Sequence, residues 1–301
     1  VNKSVYSDMQ RIWDMYHTKA HINLIVCGSI FSMMTKIFKD KKEPLYNRQT
    51  RFMSIKPFTP AVLKEIMAEY NPNYTSEDLL ALYSFTGGVA KYVQLLVDAG
   101  ATTKTKMLNH IIKADSVFLG EGKAILIEEF GKDYGVYFSI LSAIARGKTL
   151  RSEIEQIVGR EIGGYLTKLE KEYEVITKNQ PIFEKSSTKN VRYTIEDNFF
   201  TFWFRFIYKY NYMLEIENYD AVKTIINRDY ETFSGKMLER YFKRVLMESK
   251  AYTRIGSWWD RKGENEIDIV AGRIKYFEMK DNYHVLDYKF DNDKLVDIQK
   301  D

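Results

Sequence analysis

The sequence predicts a multidomain chain of α/β plus α+β class. Three observations carry that expectation. Strand and helix signals alternate through residues 1–58, helical periodicity dominates residues 59–173, and β-branched and aromatic runs return after residue 266. At 301 residues the chain is long enough for two or three domains, each able to bury its own core.

Composition narrows the function classes. A net charge of +4 is only mildly basic, so it permits a nucleic-acid partner without requiring one. The 22 Tyr and 18 Phe supply ample apolar mass, which confines expected disorder to the ends. A single cysteine, Cys27, excludes an internal disulfide framework and a cysteine-based zinc site. It suits a reducing compartment, and with no visible signal peptide a cytoplasmic location is expected. Phe199 to Tyr210 is the most apolar window, yet it is short and interrupted by Arg205, so it reads as a buried helix rather than a membrane span. His17 and His21 stand four apart without a third ligand and read as a helix end.

Taken in order, Val1 to Ala20 can form a helix, Ile22 to Cys27 a buried strand, Ile30 to Phe38 a helix and Arg51 to Pro57 a second strand. Such alternation implies a parallel sheet covered on both faces, which needs more strands than two. The expectation is a chain that begins inside a domain; the missing initiator methionine fits this, although an alternative start codon would also explain Val1. Helices are expected over Thr59 to Tyr70, Ser76 to Thr86, Val89 to Ala99 and Lys113 to Phe130, with Gly87-Gly88 as a break.

Helical spacing continues over Tyr134 to Arg146, over Leu150 to Val158 with Thr149 as its cap, and over Ile162 to Tyr173. Two short strand signals, Val175 to Thr177 and Val191 to Ile195, flank a polar loop. Three helices and a hairpin make a winged helix-turn-helix. Arg160, Tyr165, Lys168 and Lys171 on or beside its third helix, with Lys189 and Arg192 from the wing, could meet DNA phosphates. Glu161, Glu170 and Glu172 interrupt that surface, and an intramolecular docking role for the module is an equal alternative.

The charges are unusual near the C-terminus. Ile267 to Ala271 and Ile274 to Met279 flank Gly272-Arg273, the pattern of an antiparallel hairpin. A three-residue loop, Gly272-Arg273-Ile274, sets Asp268 opposite Glu278, with Lys280 on the same face; a two-residue loop sets Asp268 opposite Phe277. In the first register two carboxylates repel unless a cation lies between them. A Mg²⁺ ion held by Asp268 and Glu278 would meet that need and activate water for attack on a phosphodiester, with Lys280 assisting the water. The competing reading is an exposed sheet face with ordinary surface charges.

Leu24-Ile25-Val26-Cys27-Gly28-Ser29, the Met33-Met34 helix, Pro44-Leu45-Tyr46-Asn47-Arg48 and Pro57-Phe58 resemble segments of the archaeal-type ATPase family of the P-loop AAA+ and STAND group. Ile255 to Arg261 followed by Glu266 to Val270, then Glu278-Met279-Lys280, resembles its C-terminal signature. The resemblance covers most of the sequence. It implies the C-terminal part of an AAA+ ATPase core over 1–58, a helical lid over 59–130, the winged helix over 131–197 and a PD-(D/E)xK nuclease-like domain over 198–301. It further implies that Ser29 is a polar sensor near nucleotide, that Arg48 faces nucleotide, and that Glu239 on a first helix supports the metal site. Lys91 or Tyr92 beside the Gly-Gly break could likewise approach nucleotide. Asn47 stands where the family usually has Gly, which leaves the loop before Arg48 in question.

The family's phosphate-binding loop has no counterpart here; Arg146-Gly147-Lys148-Thr149 lacks the first glycine and follows a helix. ATP binding and hydrolysis are therefore expected only of a full-length form. Only 21 residues follow Lys280, scarcely the helix and final strand that the nuclease-like core needs. The leading expectation is a DNA-binding chain with a Mg²⁺-dependent endonuclease-like site. The alternatives are a noncatalytic DNA- or protein-binding module, with a protein partner or homo-oligomer, and an inactive remnant of an ATPase gene. No membrane association is expected.

Overall fold

A computed structural model of the chain describes residues 3–21, 23–28, 31–185, 188–276, 285–289 and 295–296. It is a mixed structure, mostly helical, with two small antiparallel sheets.

Helices α1 (Lys3–Tyr16) and α2 (Phe31–Lys39) open the chain. Neither expected strand between or after them is present among the described residues. Residues 23–28 and 51–57 carry no ladder, and Leu24, Ile25, Val26, Phe52, Met53 and Ile55 are exposed. A strand exists only beside another strand that takes its N–H and C=O groups, and no described strand lies against either segment. The expected parallel sheet is thus absent among the described residues. Instead Arg48 closes the region, its Nε and Nη2 each donating to the Asp14 carboxylate at 2.8 Å.

Helices α3 (Pro60–Tyr70), α4 (Ser76–Thr86), α5 (Ala90–Asp98), α6 (Lys104–Ile111) and α7 (Val117–Phe130) follow. Their starts obey local chemistry. Thr59 caps α3 through Val62 N–H, and Pro60 sits where a missing N–H costs nothing. Thr75 and Asp78 form a reciprocal capping box on α4, and the second oxygen of Asp78 accepts from Lys104 N–H, which ties α6 to α4. Helix α6 has no counterpart in the sequence-based expectation. Gly87 and Gly88 both take positive φ, so the break between α4 and α5 is a turn that glycine permits, and Phe58 N–H donates to Gly88 O across it.

Helices α8 (Tyr134–Ala145), α9 (Arg151–Val158) and α10 (Gly163–Lys171) lead into β1 (Ile176–Asn179) and β2 (Arg192–Ile195), which pair antiparallel. Thr149 is not the cap of α9. Leu150 occupies that position, and its N–H is held by the Glu153 carboxylate at 3.2 Å.

The aromatic window forms α11 (Asn198–Phe202) and a π-helical turn (Trp203–Tyr208), both buried as expected. After α12 (Asn211–Glu215) comes α13 (Tyr219–Ser249), whose 31 residues span about 46 Å. Phe233 and Met237 of α13 are buried and Tyr241 packs at the core edge, whereas Val245 is exposed. Helix α13 runs past the end of the core there. One continuous apolar core joins α3 to α11 and the first half of α13, with Phe199, Phe202, Phe204 and Phe206 at its centre.

The second sheet has the order β3 (Arg254–Trp259), β4 (Glu266–Tyr276), β5 (Val285–Lys289) and β6 (Leu295–Val296), all antiparallel. Here the expected hairpin is overturned. Gly272 pairs with Arg254 and Arg273 with Lys289, so Gly272-Arg273 lies in mid-strand and makes no turn. Neither register that placed Asp268 opposite Glu278 or Phe277 through that turn is formed. The stronger turn signal is upstream. The Asp260 carboxylate accepts from the N–H groups of Glu264 and Asn265, and Gly263 takes positive φ, which folds β3 onto β4 and provides the ladder for residues 266–272.

Candidate active site

A cleft of about 1110 Å³ opens between α13, the β1–β2 hairpin and the β3–β4 pair. Periodicity brings its side chains together. Lys236, Glu239, Arg240, Lys243 and Met247 line it from α13 at spacings of three or four residues, hence from one helical face. Ser257 and Trp259 of β3 are two apart, as are Glu266 and Asp268 of β4, so each pair shares a strand face. Between Gly256↔Val270 and Trp258↔Ile267 the ladder is irregular, and two residues, Asp268 and Ile269, stand opposite the single Ser257. Such a bulge re-aims side chains at a sheet edge.

Of the three cleft carboxylates Glu239 is half-buried, whereas Glu266 and Asp268 are exposed. Burial pushes the half-buried Glu239 carboxyl above its ordinary value; Asp268 adds to the rise, Lys243 opposes it, and Glu266 adds further. For Lys243, burial lowers the ammonium's value while Glu239, Asp268 and Glu266 resist. Lys243 Nζ donates to Ser257 Oγ at 2.6 Å. Beside it, Arg240 donates through Nη1 to Asn198 Oδ1 at 2.9 Å, and burial lowers its value as well. Asp197, the N-cap of α11, accepts from Phe200 N–H, and burial raises its carboxyl to about 6.

Of the expected metal-site set, Asp268 and Glu239 do share this cleft. Glu278 and Lys280 lie outside the described residues. Among the described residues, no group of three or more His, Cys, Asp or Glu is arranged to hold a metal ion. His17 instead stacks on Trp13 and contacts its carbonyl through Nδ1. Sequence reasoning passed over Lys243, Ser257 and Glu266. The signal for Lys243 was its place one helical turn after Glu239.

The expected DNA-facing residues divide into two groups. Lys168 and Lys171 of α10, Lys189 and Arg160 are exposed, and Arg160 lies over the Tyr165 ring at 5.5 Å. Tyr165 also packs edge-on against the buried Tyr137, which makes it partly core. Arg192 points elsewhere. It pairs with Glu266 at 2.7 Å and lies over the Trp259 ring at 4.5 Å. Trp259 Nε1 donates to Asn190 Oδ1 at 2.9 Å, and Ile182 N–H donates to Ser257 O at 2.7 Å. The hairpin is therefore docked on β3 and β4.

At the other end, Arg48 is fully engaged by Asp14 and by the carbonyls of Pro44 and Tyr46, and Ser29 lies outside the described residues. Asn47 takes φ 56°, a left-handed conformation that asparagine tolerates in place of glycine. Lys91 pairs with Glu121 at 2.6 Å, and the Tyr92 ring is buried against Phe199.

Comparison with known proteins now bears on this cleft. Residues 203–298 match the DUF234 family, described as archaeal and bacterial proteins of unknown function. That span contains every cleft residue named from α13, β3 and β4. The chain is also 32% identical over 285 residues, 90% of its length, to the uncharacterized protein MJECL04 of Methanocaldococcus jannaschii. It spans 61% of that relative's length. No solved structure matches. No described helix is long and apolar enough to cross a membrane.

Proposed function

We propose that the chain is a DNA-binding protein whose C-terminal unit, nuclease-like in the PD-(D/E)xK sense, cleaves phosphodiesters with the help of a divalent metal. The observation that carries this reading is that Glu239, Glu266 and Asp268 line one cleft, where the two strand carboxylates add to the rise of the Glu239 carboxyl. A half-buried carboxyl with two further carboxylates facing it is relieved by a cation. The residues fit Mg²⁺, which binds through one or two carboxylates and keeps the rest of its shell as water, so Glu239 and Asp268 suffice as protein ligands. When bound, such an ion lowers the pKa of a coordinated water and stabilises charge on the phosphate. The chain's own groups position the substrate: the basic residues beside the carboxylates attract its backbone, and Trp259 and Arg192 form one wall. In hydrolysis, the oxygen of water bonds to phosphorus as the P–O ester bond breaks. The water's proton passes to bulk solvent, and the leaving oxygen takes one from it.

Supercoiled plasmid incubated with the 301-residue chain in Mg²⁺ or Mn²⁺ should be nicked. Asp268→Asn and Glu239→Gln should each slow nicking on the order of 100-fold, the usual consequence of removing one preorganised charge from such a site. Equal rates in both variants and the parent would sink the proposal.

A second reading is favoured by the docked hairpin: a noncatalytic winged helix that serves as a docking module. In that case DNA or a protein partner is bound without cleavage, and Asp268→Asn changes nothing. The archaeal-type ATPase resemblance belongs to the same level of proposal, with ATP bound only by a longer form of the protein.

A further inference from the structure

Lys243 is the one lysine of the cleft whose head group is fixed by a short hydrogen bond to a neighbouring strand, and no described ion pair takes it up. It lies one turn beyond Glu239 on the same helical face, and its charge is felt by Glu239 while it feels Asp268 and Glu266 in return. Among the described residues no ion pair joins it to these carboxylates, and all four side chains line the same cleft. A partly buried cation without a carboxylate in contact has lost hydration that a bound anion would replace. Two donor protons of the ammonium remain after the bond to Ser257.

A Ser–Lys nucleophile needs the serine hydroxyl to donate to a neutral amine, whereas here Lys243 Nζ donates to Ser257 Oγ. The geometry points to a different role. We propose that Lys243, oriented by Ser257, is the cation that grips the scissile phosphate of a phosphodiester in this cleft, donating to a non-bridging oxygen as negative charge grows there. The inference rests on the phosphodiester-cleaving reading above for its rate consequence, but not for the phosphate contact. Ser257 is a positioning residue: it sits opposite the bulged Asp268-Ile269 step, so a single distortion of the sheet sets both the carboxylate and the hydroxyl that holds the lysine.

The test separates the two proposals by pairing cleavage with binding. Binding of a short DNA duplex is followed by fluorescence anisotropy in Ca²⁺ across a salt series, and nicking in Mn²⁺ is followed alongside. Lys243→Met should lower the slope of log affinity against log salt by about one phosphate contact, roughly 0.9. It should slow nicking on the order of 100-fold and leave Mn²⁺ affinity undiminished, since a neighbouring cation has gone. Lys243→Arg should restore the salt slope. If Lys243→Met fails to fold, as judged by thermal unfolding, Lys243→Gln carries the same comparison. A salt slope unchanged in the folded Met or Gln variant overturns the inference. If the parent chain binds DNA but never nicks it, the catalytic reading falls while the altered slope still upholds the phosphate contact.

Discussion

At the scale of single residues, burial decides which charges carry consequences. Asp197 is the clearest case: its carboxyl caps α11, and burial raises it to about 6. Between an ordinary aspartate value near 3.8 and about 6, the folded chain holds a proton that the unfolded chain has lost. Stability from this group is therefore greatest below pH 4 and falls as pH rises through 6, by about 3 kcal/mol at most. Asn caps a helix as well as Asp does and cannot ionise. Denaturant titrations at pH 4, 5, 6 and 7.5 should show Asp197→Asn gaining on the parent as pH rises. A constant difference across that range would refute the assignment.

Among elements, two glycines set how closely helices approach. A Cβ on Gly122 of α7 would stand 2.4 Å from the Trp203 ring of the π-helical turn, whose Nε1 donates to Leu119 O. A Cβ on Gly88 would meet Phe58 O at 2.5 Å, at φ +79°. Gly122→Ala and Gly88→Ala should each cost about 1–3 kcal/mol, by overpacking and, at Gly88, by backbone strain as well. Gly120 lies two residues before Gly122 on the exposed side of α7, with nothing within 4 Å. Gly120→Ala should instead stabilise by about 0.5–1 kcal/mol, because the unfolded chain loses freedom. Opposite signs in urea melts of these two α7 variants are the expected result.

For the whole molecule, the docked hairpin couples the middle of the chain to the C-terminal sheet. Trp259 is buried, hydrogen-bonded to Asn190 and covered by Arg192. Trp259→Ala should cost about 3–5 kcal/mol and expose the chain around Asn190 to limited proteolysis. Arg192→Ala removes a half-exposed pair and its ring contact, and should cost only about 1 kcal/mol. Lys168 and Lys171 are exposed on α10. A Lys168→Ala, Lys171→Ala double variant should weaken duplex binding and reduce its salt slope without altering the melt, as phosphate contacts do. Loss of stability in place of affinity would assign those lysines to structure.

The helices were legible because they are local: capping residues, glycine breaks and apolar spacing act within a few residues, so α3 to α5 and α7 to α10 stand within a few positions of where the sequence places them. The hairpin was misread because strands choose partners. Gly272-Arg273 looks like a turn only until Arg254 to Trp259, closed by Asp260 and Gly263, offers the better ladder. The same reason removed the two N-terminal strands, which have the right residues and no neighbour among the described strands. The cleft mixes both kinds of information. Glu239 and Asp268 could be named from the chain alone, whereas Lys243, Ser257 and Glu266 became site residues only when a helix face and a bulged strand were brought together. By itself the sequence determined most of the helices and the chemical types available. Which charges meet depended on pairing between distant segments, and only the tertiary structure decides that.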